Sequence, residues 1–433
     1  MCGLTGFWQP GAHADALAPI ARAMAARIAH RGPDDDGVWT DADAGIALVH
    51  RRLSILDLSP AGHQPMPSAS GRWVIAFNGE IYNHLQLRAE LERAGAAPAW
   101  RGHSDTETLL AGIEAWGVDA TLKRCAGMFA LAAWDRSERR LWLARDRIGE
   151  KPLYYGWQGD TFLFGSELKA LRAHPAFAAG VDRGALALLL RHNYVPAPYS
   201  IHPGIAKLPP GTWLALSPGQ REAAPVAYWS LAEVAERGMA SPFAGSDAEA
   251  VAQLEQLLGD AVRGQMVADV PLGALLSGGI DSTLITALMQ ARSARPVRTF
   301  TIGFEEGAYD EAVHARAVAA HLGTEHTELR LSADDALALI DVHMPGMNGV
   351  EAAHHIGRRS HLVFVTAFEQ YAVQAFAQGA LDYLVKPVEP ERLADTVARL
   401  KERLRSAQPA RDTESLLRQL ATQLAQQQRP AAC

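Results

Sequence analysis

Hydrophobic residues come in short blocks through the first 205 positions. GLTGFW (3–8), GIALVHRRLSIL (45–56), RWVIAFNGEIY (72–82), GMFALAAWD (127–135), RRLWLARD (139–146), PLYYGW (152–157) and TFLFGSE (161–167) alternate with turns rich in Gly, Asp and Asn. That pattern predicts short strands of antiparallel sheet. Two stretches, ALAPIARAMAARIAHRG (16–32) and HLQLRAELERAG (84–95), repeat their apolar residues at helical spacing instead. An α+β domain over residues 1–205 is expected. Residues 206–245, with KLPPGTWLALSPGQ (207–220) and most of AERGMASPFAGSD (235–247), are turn-rich and read as an irregular connector.

From residue 246 the period changes. DAEAVAQLEQLLGDAVRGQM (247–266) is helical in pattern, VPLGALL (270–276) a strand, STLITALMQARSA (282–294) a helix and VRTFTIGF (297–304) a strand. DEAVHARAVAAHLG (310–323) and HTELRL (326–331) add a further helix and strand. Strands alternating with helices predict βαβ units and a parallel sheet, hence an α/β region. The alternation continues through ALALIDV (336–342), HLVFVTA (361–367) and DYLVKPV (382–388) as strands, with helical patterns between them. It closes with PERLADTVARLKERLRSA (390–407), a long helical pattern. Residues 406–433 are rich in Gln and Arg and read as a tail.

Composition narrows the classes. The chain has 433 residues, is 48% hydrophobic and 21% charged, and carries a net charge of −7. It reads as an ordinary globular protein, with no electrostatic reason to expect nucleic acid or a membrane surface as partner. Its three cysteines, Cys2, Cys125 and Cys433, are odd in number and far apart, so they read as reduced thiols of a cytoplasmic protein. No run of about 18 apolar residues predicts a membrane span, and the N-terminus lacks the pattern of a signal peptide.

Cys2 follows the initiator methionine. After methionine removal one residue would carry both thiol and α-amine, and an amine of pKa about 7.7–8.0 can act as general base for its own thiol. Three motifs give that arrangement a context: HRRLSILDLS (50–59), FNGEIYN (77–83) and GHSDTETLL (102–110). With MCG they resemble the class II glutamine amidotransferase domain of glutamine-hydrolysing asparagine synthetases, and RGPDDDG (31–37), RDRIGEKPLYY (145–155) and SELKAL (166–171) fit the same family. The resemblance implies an Ntn-hydrolase-like antiparallel β sandwich flanked by helices. It also implies that Cys2 attacks the glutamine side-chain amide, with Asn78 and Gly79 as oxyanion donors. Arg52 would grip the substrate carboxylate and Asp105 its ammonium. Leu53, Ser54, Ile55 and Glu80 complete the implied glutamine site.

LLSGGIDST (275–283) follows an apolar strand and opens a helix, a geometry that aims backbone N–H groups at an anion. Its SGGxDS form resembles the pyrophosphate loop of N-type ATP pyrophosphatases, and EEGAYDEAVHARAVAAHLGTEH (305–326) resembles asparagine synthetases. By that resemblance Ser277, Gly278, Gly279, Asp281 and Ser282 hold pyrophosphate and Mg²⁺, and Leu276, Ile302 and Gly303 lie against adenosine. The implied reaction uses ATP to adenylate aspartate, which ammonia then converts to asparagine, with AMP and pyrophosphate released. The expected partners are these small molecules, in a homodimer if the chain follows its relatives. No residue cluster is singled out as a protein metal site.

After about residue 337 that pattern gives way. ALIDVHMPGMNGVEAA (338–353), VFVTAF (363–368) and ALDYLVKPV (380–388) resemble the second half of a response-regulator receiver domain of the LytTR-associated kind. Asp341 would be the phosphoacceptor, with Thr366 and Lys386 as its switch hydroxyl and pairing lysine. The receiver's first strands and their acidic pair are missing from the pattern, which argues against a working phosphorelay. The domain reading is therefore 1–205 amidotransferase, 206–245 connector, 246–337 partial pyrophosphatase domain, 338–405 partial receiver and 406–433 tail. Strand order could in principle join the two halves in one sheet. Only residues 332–335 are left to connect them, however, where a parallel crossover needs ten or more, so strain or rearrangement is expected there. Two rival readings stand beside the synthetase: a stand-alone glutamine hydrolase, and a phosphorelay or interaction protein working through 338–405.

Overall fold

The computed structural model describes residues 2–304 and 310–331, the strand segments 338–340, 343–344, 347–348, 362–366 and 380–385, and residues 395, 396 and 399. It divides into two compact units, Met1–Leu272 and Gly273–Cys433.

The first unit is built on two six-stranded antiparallel sheets. One contains β1 (Gly3–Trp8), β2 (Asp35–Asp41) and β3 (Ile46–Arg52). The other begins with β4 (Met66–Pro67), β5 (Trp73–Ile81), β6 (Gly127–Asp135) and β7 (Arg140–Arg145). The chain returns to the first sheet with β8 (Tyr154–Gln158), β9 (Thr161–Gly165) and β10 (Ile205–Lys207), then to the second with β11 (Thr212–Leu216) and β12 (Val226–Ala227). The orders are β10-β8-β9-β1-β3-β2 and β12-β11-β7-β6-β5-β4.

Both faces of each sheet are covered, which is why β1, β3, β5 and β6 read as near-continuous apolar runs. Between the sheets lie Leu4, Trp8, Ile46, Leu48, Phe162 and Phe164 from one and Val74, Ala76, Trp134, Leu143 and Leu214 from the other. Outside the first sheet, Phe7, Ala47, Val49 and Leu163 pack on Leu17, Ala21 and Met24 of α1 (Ala14–Ala26). Outside the second, Ile75, Phe77 and Leu131 pack on three helices. These are α2 (His84–Arg93), α3 (Asp105–Trp116) and α4 (Val118–Arg124). The expected helix-flanked sandwich is present.

The remaining helices of this unit are α5 (Leu168–Leu171), α6 (Arg183–His192), α7 (Leu231–Ala240) and α8 (Asp247–Gln265). The stretch expected to be an irregular connector is therefore structured: β11 pairs with β7 over Trp213–Leu216, and Ser230 caps α7 by accepting the Glu233 amide. The prolines and glycine before Thr212 punctuate one more strand of the sheet rather than a linker.

In the second unit β13 (Gly273–Leu275), β14 (Arg298–Phe304) and β15 (Glu325–Leu331) form a parallel sheet in that order. α9 (Ile280–Arg292) and α10 (Ala312–Leu322) are its crossovers, and Leu276 packs against Ala315 and Ala319. Beyond it, β16 (Ala338–Ile340), β19 (Leu362–Thr366) and β20 (Ala380–Val385) form a separate parallel sheet ordered β16-β19-β20. β17 (His343–Met344) and β18 (Met347–Asn348) make a hairpin. The single joined sheet entertained from strand order is not formed among the described residues. The short connection expected to be strained falls at 332–337, outside the described residues.

The turn after β7 depends on one buried carboxylate. Asp146 Oδ1 accepts the amides of Gly149 (2.6 Å) and Glu150 (2.9 Å), and Oδ2 those of Phe129 (3.1 Å) and Lys151 (2.9 Å). Removing an acceptor that serves buried donors costs about 1–3 kcal/mol per orphaned group. Asp146→Ala is expected to lower unfolding free energy by about 3 kcal/mol or more, read as a lower urea midpoint. A change under about 1 kcal/mol would show that the turn is held by other means.

Candidate active site

An antiparallel strand offers its N–H and C=O groups to a given neighbour only at alternate residues. On β5 this phase is set by Phe129, which lies opposite Gly79. Phe129 directs its carbonyl and amide to Asp146, on the far side of β6. Gly79 and its companions Phe77 and Ile81 therefore turn their polar groups away from β6. The Phe77 amide donates to Gln64 Oε1 (2.7 Å), and its carbonyl accepts from His50 Nε2 (2.9 Å). The Ile81 amide donates to Asp105 Oδ2 (2.9 Å). The Gly79 amide is left facing a cleft.

That cleft encloses about 610 Å³, its mouth included, and Cys2, Arg52, Asn78, Gly79, Glu80, Asp105 and Lys151 are among its lining residues. Asn78 is 1% exposed, and its Nδ2 has no hydrogen-bond partner. A buried amide donor without a partner is costly in a folded protein. Beside the outward Gly79 amide it forms a pair of donors ready for an oxyanion.

The Cys2 thiol accepts the Leu53 amide at 3.3 Å and lies 3.4 Å from the Leu53 carbonyl. Burial pushes its pKa up, against the lowering effect of the Leu53 amide, the N-terminus and the Arg52 guanidinium. The Cys2 carbonyl is held by Arg31 Nε at 2.9 Å, and Arg31 Nη1 is held in turn by Glu167 Oε1 at 2.9 Å. Glu167 also bonds Lys169 and His30, and these partners keep its carboxyl down at about 2 despite burial. Two motifs that carried no role in the sequence, RGPDDDG and SELKAL, thus meet behind the cysteine.

Arg52 is 7% exposed and already half committed. Its Nη2 donates to the carbonyls of Leu56 (3.2 Å) and Asp57 (2.5 Å), fixing the segment that carries Leu53 and Ile55. Gly62 makes this placement possible, since a Cβ there would fall 1.9 Å from Arg52 Nη2. Asp105 begins α3, where Ser104 caps the helix by accepting the Glu107 amide (3.2 Å). Burial raises the Asp105 carboxyl to about 6, against the Ile81 and Thr106 amides that favour its charge. Glu80 is raised as well, by burial and by the neighbouring Asp105, with the Lys151 ammonium opposing. His50 is fully buried and drops to about 3, so it is a neutral strut for Phe77.

The cleft gathers Cys2, Arg52, Leu53, Ile55, Asn78, Gly79, Glu80 and Asp105 from the expected set. Ser54 does not line it; its amide donates to Asp34 Oδ2 at 2.8 Å. Gln64, Met128 and Lys151 line it although no role was read for them. Lys151 stands in a recognised motif, whereas Gln64 follows its own turn and carries no sequence signal.

In the second unit Ser277, Gly278 and Gly279 connect β13 to α9. Gly278 has φ +78°, and a Cβ there would meet the backbone of Ala315 at 2.7 Å. α9 starts with no side-chain cap, so its first amides remain free to receive an anion. Ser277 Oγ and Ser282 Oγ bond each other at 3.0 Å beside them. Leu276 is buried under this loop, Asp281 lies in the first turn of α9, and Ile302 and Gly303 are on β14. Among the described residues there is no group of three His, Cys, Asp or Glu placed to hold a metal. Asp341 and Lys386 lie outside the described residues, and Thr366 is the last residue of β19. No helix among the described residues is long and apolar enough to cross a membrane.

The geometry sets the reactivity of Cys2. A thiol raised by burial ionises above its ordinary value of 9.0. In the chain that retains Met1, its alkylation by iodoacetamide, followed by peptide mass spectrometry, is expected to keep climbing past pH 9. A plateau below pH 8 would contradict this. Cys125, buried and pushed up to about 12, is expected to stay unmodified in the folded chain.

Comparison with known proteins agrees with this arrangement. Residues 1–229 match the glutamine amidotransferase domain family, 253–347 asparagine synthase and 310–398 the response regulator receiver domain, the last two overlapping. The chain is 38% identical over 358 residues to a Mycobacterium tuberculosis protein provisionally named a glutamine-hydrolysing asparagine synthetase, covering 78% of this chain and 53% of that one. It is 33% identical over 338 residues to glutamine-hydrolysing asparagine synthetase 1 of Bacillus subtilis, covering 77% and 51%. It is 32% identical over 360 residues to a Methanocaldococcus jannaschii protein with the same provisional name, covering 79% and 67%. The chain spans about half the length of the first of these relatives. With more than half its residues in one family match, and the thiol, the donor pair and the cleft assembled within that match, the chain belongs to the glutamine amidotransferase domain family.

Proposed function

We propose that this chain hydrolyses glutamine at Cys2 and is built to pass the ammonia to an ATP-dependent amidation of aspartate, as an asparagine synthetase of the glutamine-hydrolysing type. The observation that carries the first half is the unpartnered Asn78 Nδ2, buried beside the outward Gly79 amide in the cleft that holds the Cys2 thiol. Two such donors have no use in a resting structure. They suit the oxygen of a tetrahedral adduct, where one donor is worth about 3 kcal/mol.

In the proposed reaction the glutamine carboxylate lies against the part of Arg52 not bound to Leu56 and Asp57. Its ammonium lies between Asp105 and Glu80. The α-amine of Cys2, freed by methionine removal, takes the thiol proton as sulfur attacks the amide carbon. The C–N bond then breaks, the leaving nitrogen takes a proton and departs as ammonia, and water hydrolyses the thioester to glutamate. Arg31, braced by Glu167, fixes the Cys2 backbone so that sulfur and amine keep their places.

The second half rests on the glycine loop. The uncapped start of α9 and the Ser277–Ser282 pair fit a pyrophosphate group, and Gly278, at φ +78°, lets the loop pack against α10, where a Cβ would meet Ala315. Mg²⁺ would arrive with the nucleotide, near Asp281. ATP would activate the aspartate β-carboxylate as its adenylate, and ammonia would displace AMP.

A stand-alone glutamine hydrolase is the second reading, favoured by the synthase match ending at residue 347 while the receiver match runs to 398. The receiver-based reading rests on that last match.

The purified chain, given glutamine, aspartate, ATP and Mg²⁺, is expected to release glutamate, with release abolished by Cys2→Ala and lowered about 100-fold in kcat by Asn78→Ala. AMP and asparagine formed in equal amounts would establish the synthetase. Glutamate without AMP, even with ammonia supplied, would favour the hydrolase, and no glutamate at all would refute the reading of the cleft. Gly62→Ala is expected to raise KM for glutamine about tenfold by displacing Arg52, with kcat changed less. An unchanged KM would show that Arg52 does not hold the substrate.

A further inference from the structure

We infer that Asp269, outside the amidotransferase match, is a positioning residue that holds the glutamine-binding segment 53–57 from behind; the inference rests on the cleft being the glutamine site. Asp269 lies in the segment after α8, 212 residues along the chain from Asp57. Its amide donates to the Ile55 carbonyl at 2.9 Å. Its carboxylate oxygen Oδ2 accepts the Asp57 amide at 2.6 Å and bonds His103 Nε2 at 2.6 Å.

The segment so held has few other anchors. Leu53 meets the Cys2 sulfur, the Ser54 amide bonds Asp34, and the Leu56 and Asp57 carbonyls bond Arg52. Asp269 supplies two of the remaining fixed points, at Ile55 and Asp57, and Ile55 and Leu56 line the cleft. Asp57 itself sits in the left-handed region at φ 57° with no exposed surface. It is kept there by Ser59 on Oδ1 and by the His103 amide on Oδ2 at 2.9 Å. His103 thus bonds both aspartates, its amide to one and its ring to the other.

This arrangement has a particular kinetic signature. Asp269 touches neither the thiol nor the donor pair, so its loss should loosen the wall that Arg52 and Ile55 present to the substrate and leave the chemical step alone. Interactions made equally in ground and transition states appear in KM rather than kcat.

The full chain with Asp269→Ala is expected to show KM for glutamine raised about tenfold, kcat within about twofold, and a melting temperature lower by only a few degrees, from the orphaned Asp57 amide. Asp269→Asn, which keeps one acceptor oxygen, should recover most of the affinity. An unchanged KM, or a fall in kcat alone, would overturn the inference. If Asp269→Ala does not fold, His103→Ala removes the ring partner and should raise KM by a smaller factor; no rise would overturn the inference as well. A wild-type chain that releases no glutamate would sink the glutamine reading itself. In that event hydrogen exchange decides the brace alone, since Asp269→Ala must speed exchange at the Asp57 amide, and unchanged protection refutes it.

Discussion

The site depends on the hydrogen-bond phase of a single strand pair. Because Phe129 spends its amide and carbonyl on Asp146, every second residue of β5 faces outward, and each outward residue has a different employer. Ile75 pairs with β4, Phe77 is held by Gln64 and His50, and Ile81 is held by Asp105. Gly79 alone is left to the cleft. A slip of one residue would exchange these faces and withdraw the donor. The bulky Trp73, Ile75 and Phe77 pack toward the helices and the smaller Val74 and Ala76 lie between the sheets, so the slip would force large side chains into the space of small ones.

Around this strand the cleft is assembled mostly from backbone atoms held by distant side chains. Arg31 and Glu167 fix Cys2, Arg52 fixes Leu56 and Asp57, and Asp34 fixes Ser54. Arg52 shows the economy of the arrangement, one nitrogen bracing a loop while the rest of its fork faces the cleft. A lysine, with a single nitrogen, cannot divide itself in that way.

Much of this was legible in the chain. Cys2, Asn78, Gly79, Arg52 and Asp105 stand out because the short motifs that carry them resemble those of a known family. The strands of the first unit were legible because their apolar runs are bounded by turn residues. What could not be read depends on partners far apart in sequence. The alternation of β5 is invisible without knowing that β6 is its neighbour, and Gln64 acquires meaning only from the Phe77 amide. The 206–245 stretch misled because three prolines and two glycines around TWLAL resemble a linker, while the pairing of Trp213–Leu216 with β7 is a tertiary fact. The three-stranded sheets of the second unit were visible as elements but not as separate sheets, since periodicity says nothing about which strands pair.

Asp105 adds a proton to the account of the cleft. A carboxyl raised to about 6 in the fold, against an ordinary 3.8, is held protonated more tightly by the folded chain than by the unfolded one. The stability it contributes is complete below pH 3.8 and is lost as the pH climbs through about 6. At neutral pH the empty cleft therefore harbours an ionised group that the fold disfavours. A ligand bearing an ammonium relieves that penalty, and below pH 6 it must displace a proton to enter. With glutamine bound as proposed, the same aspartate would make occupancy of the cleft a proton-linked event, weakening with acidity.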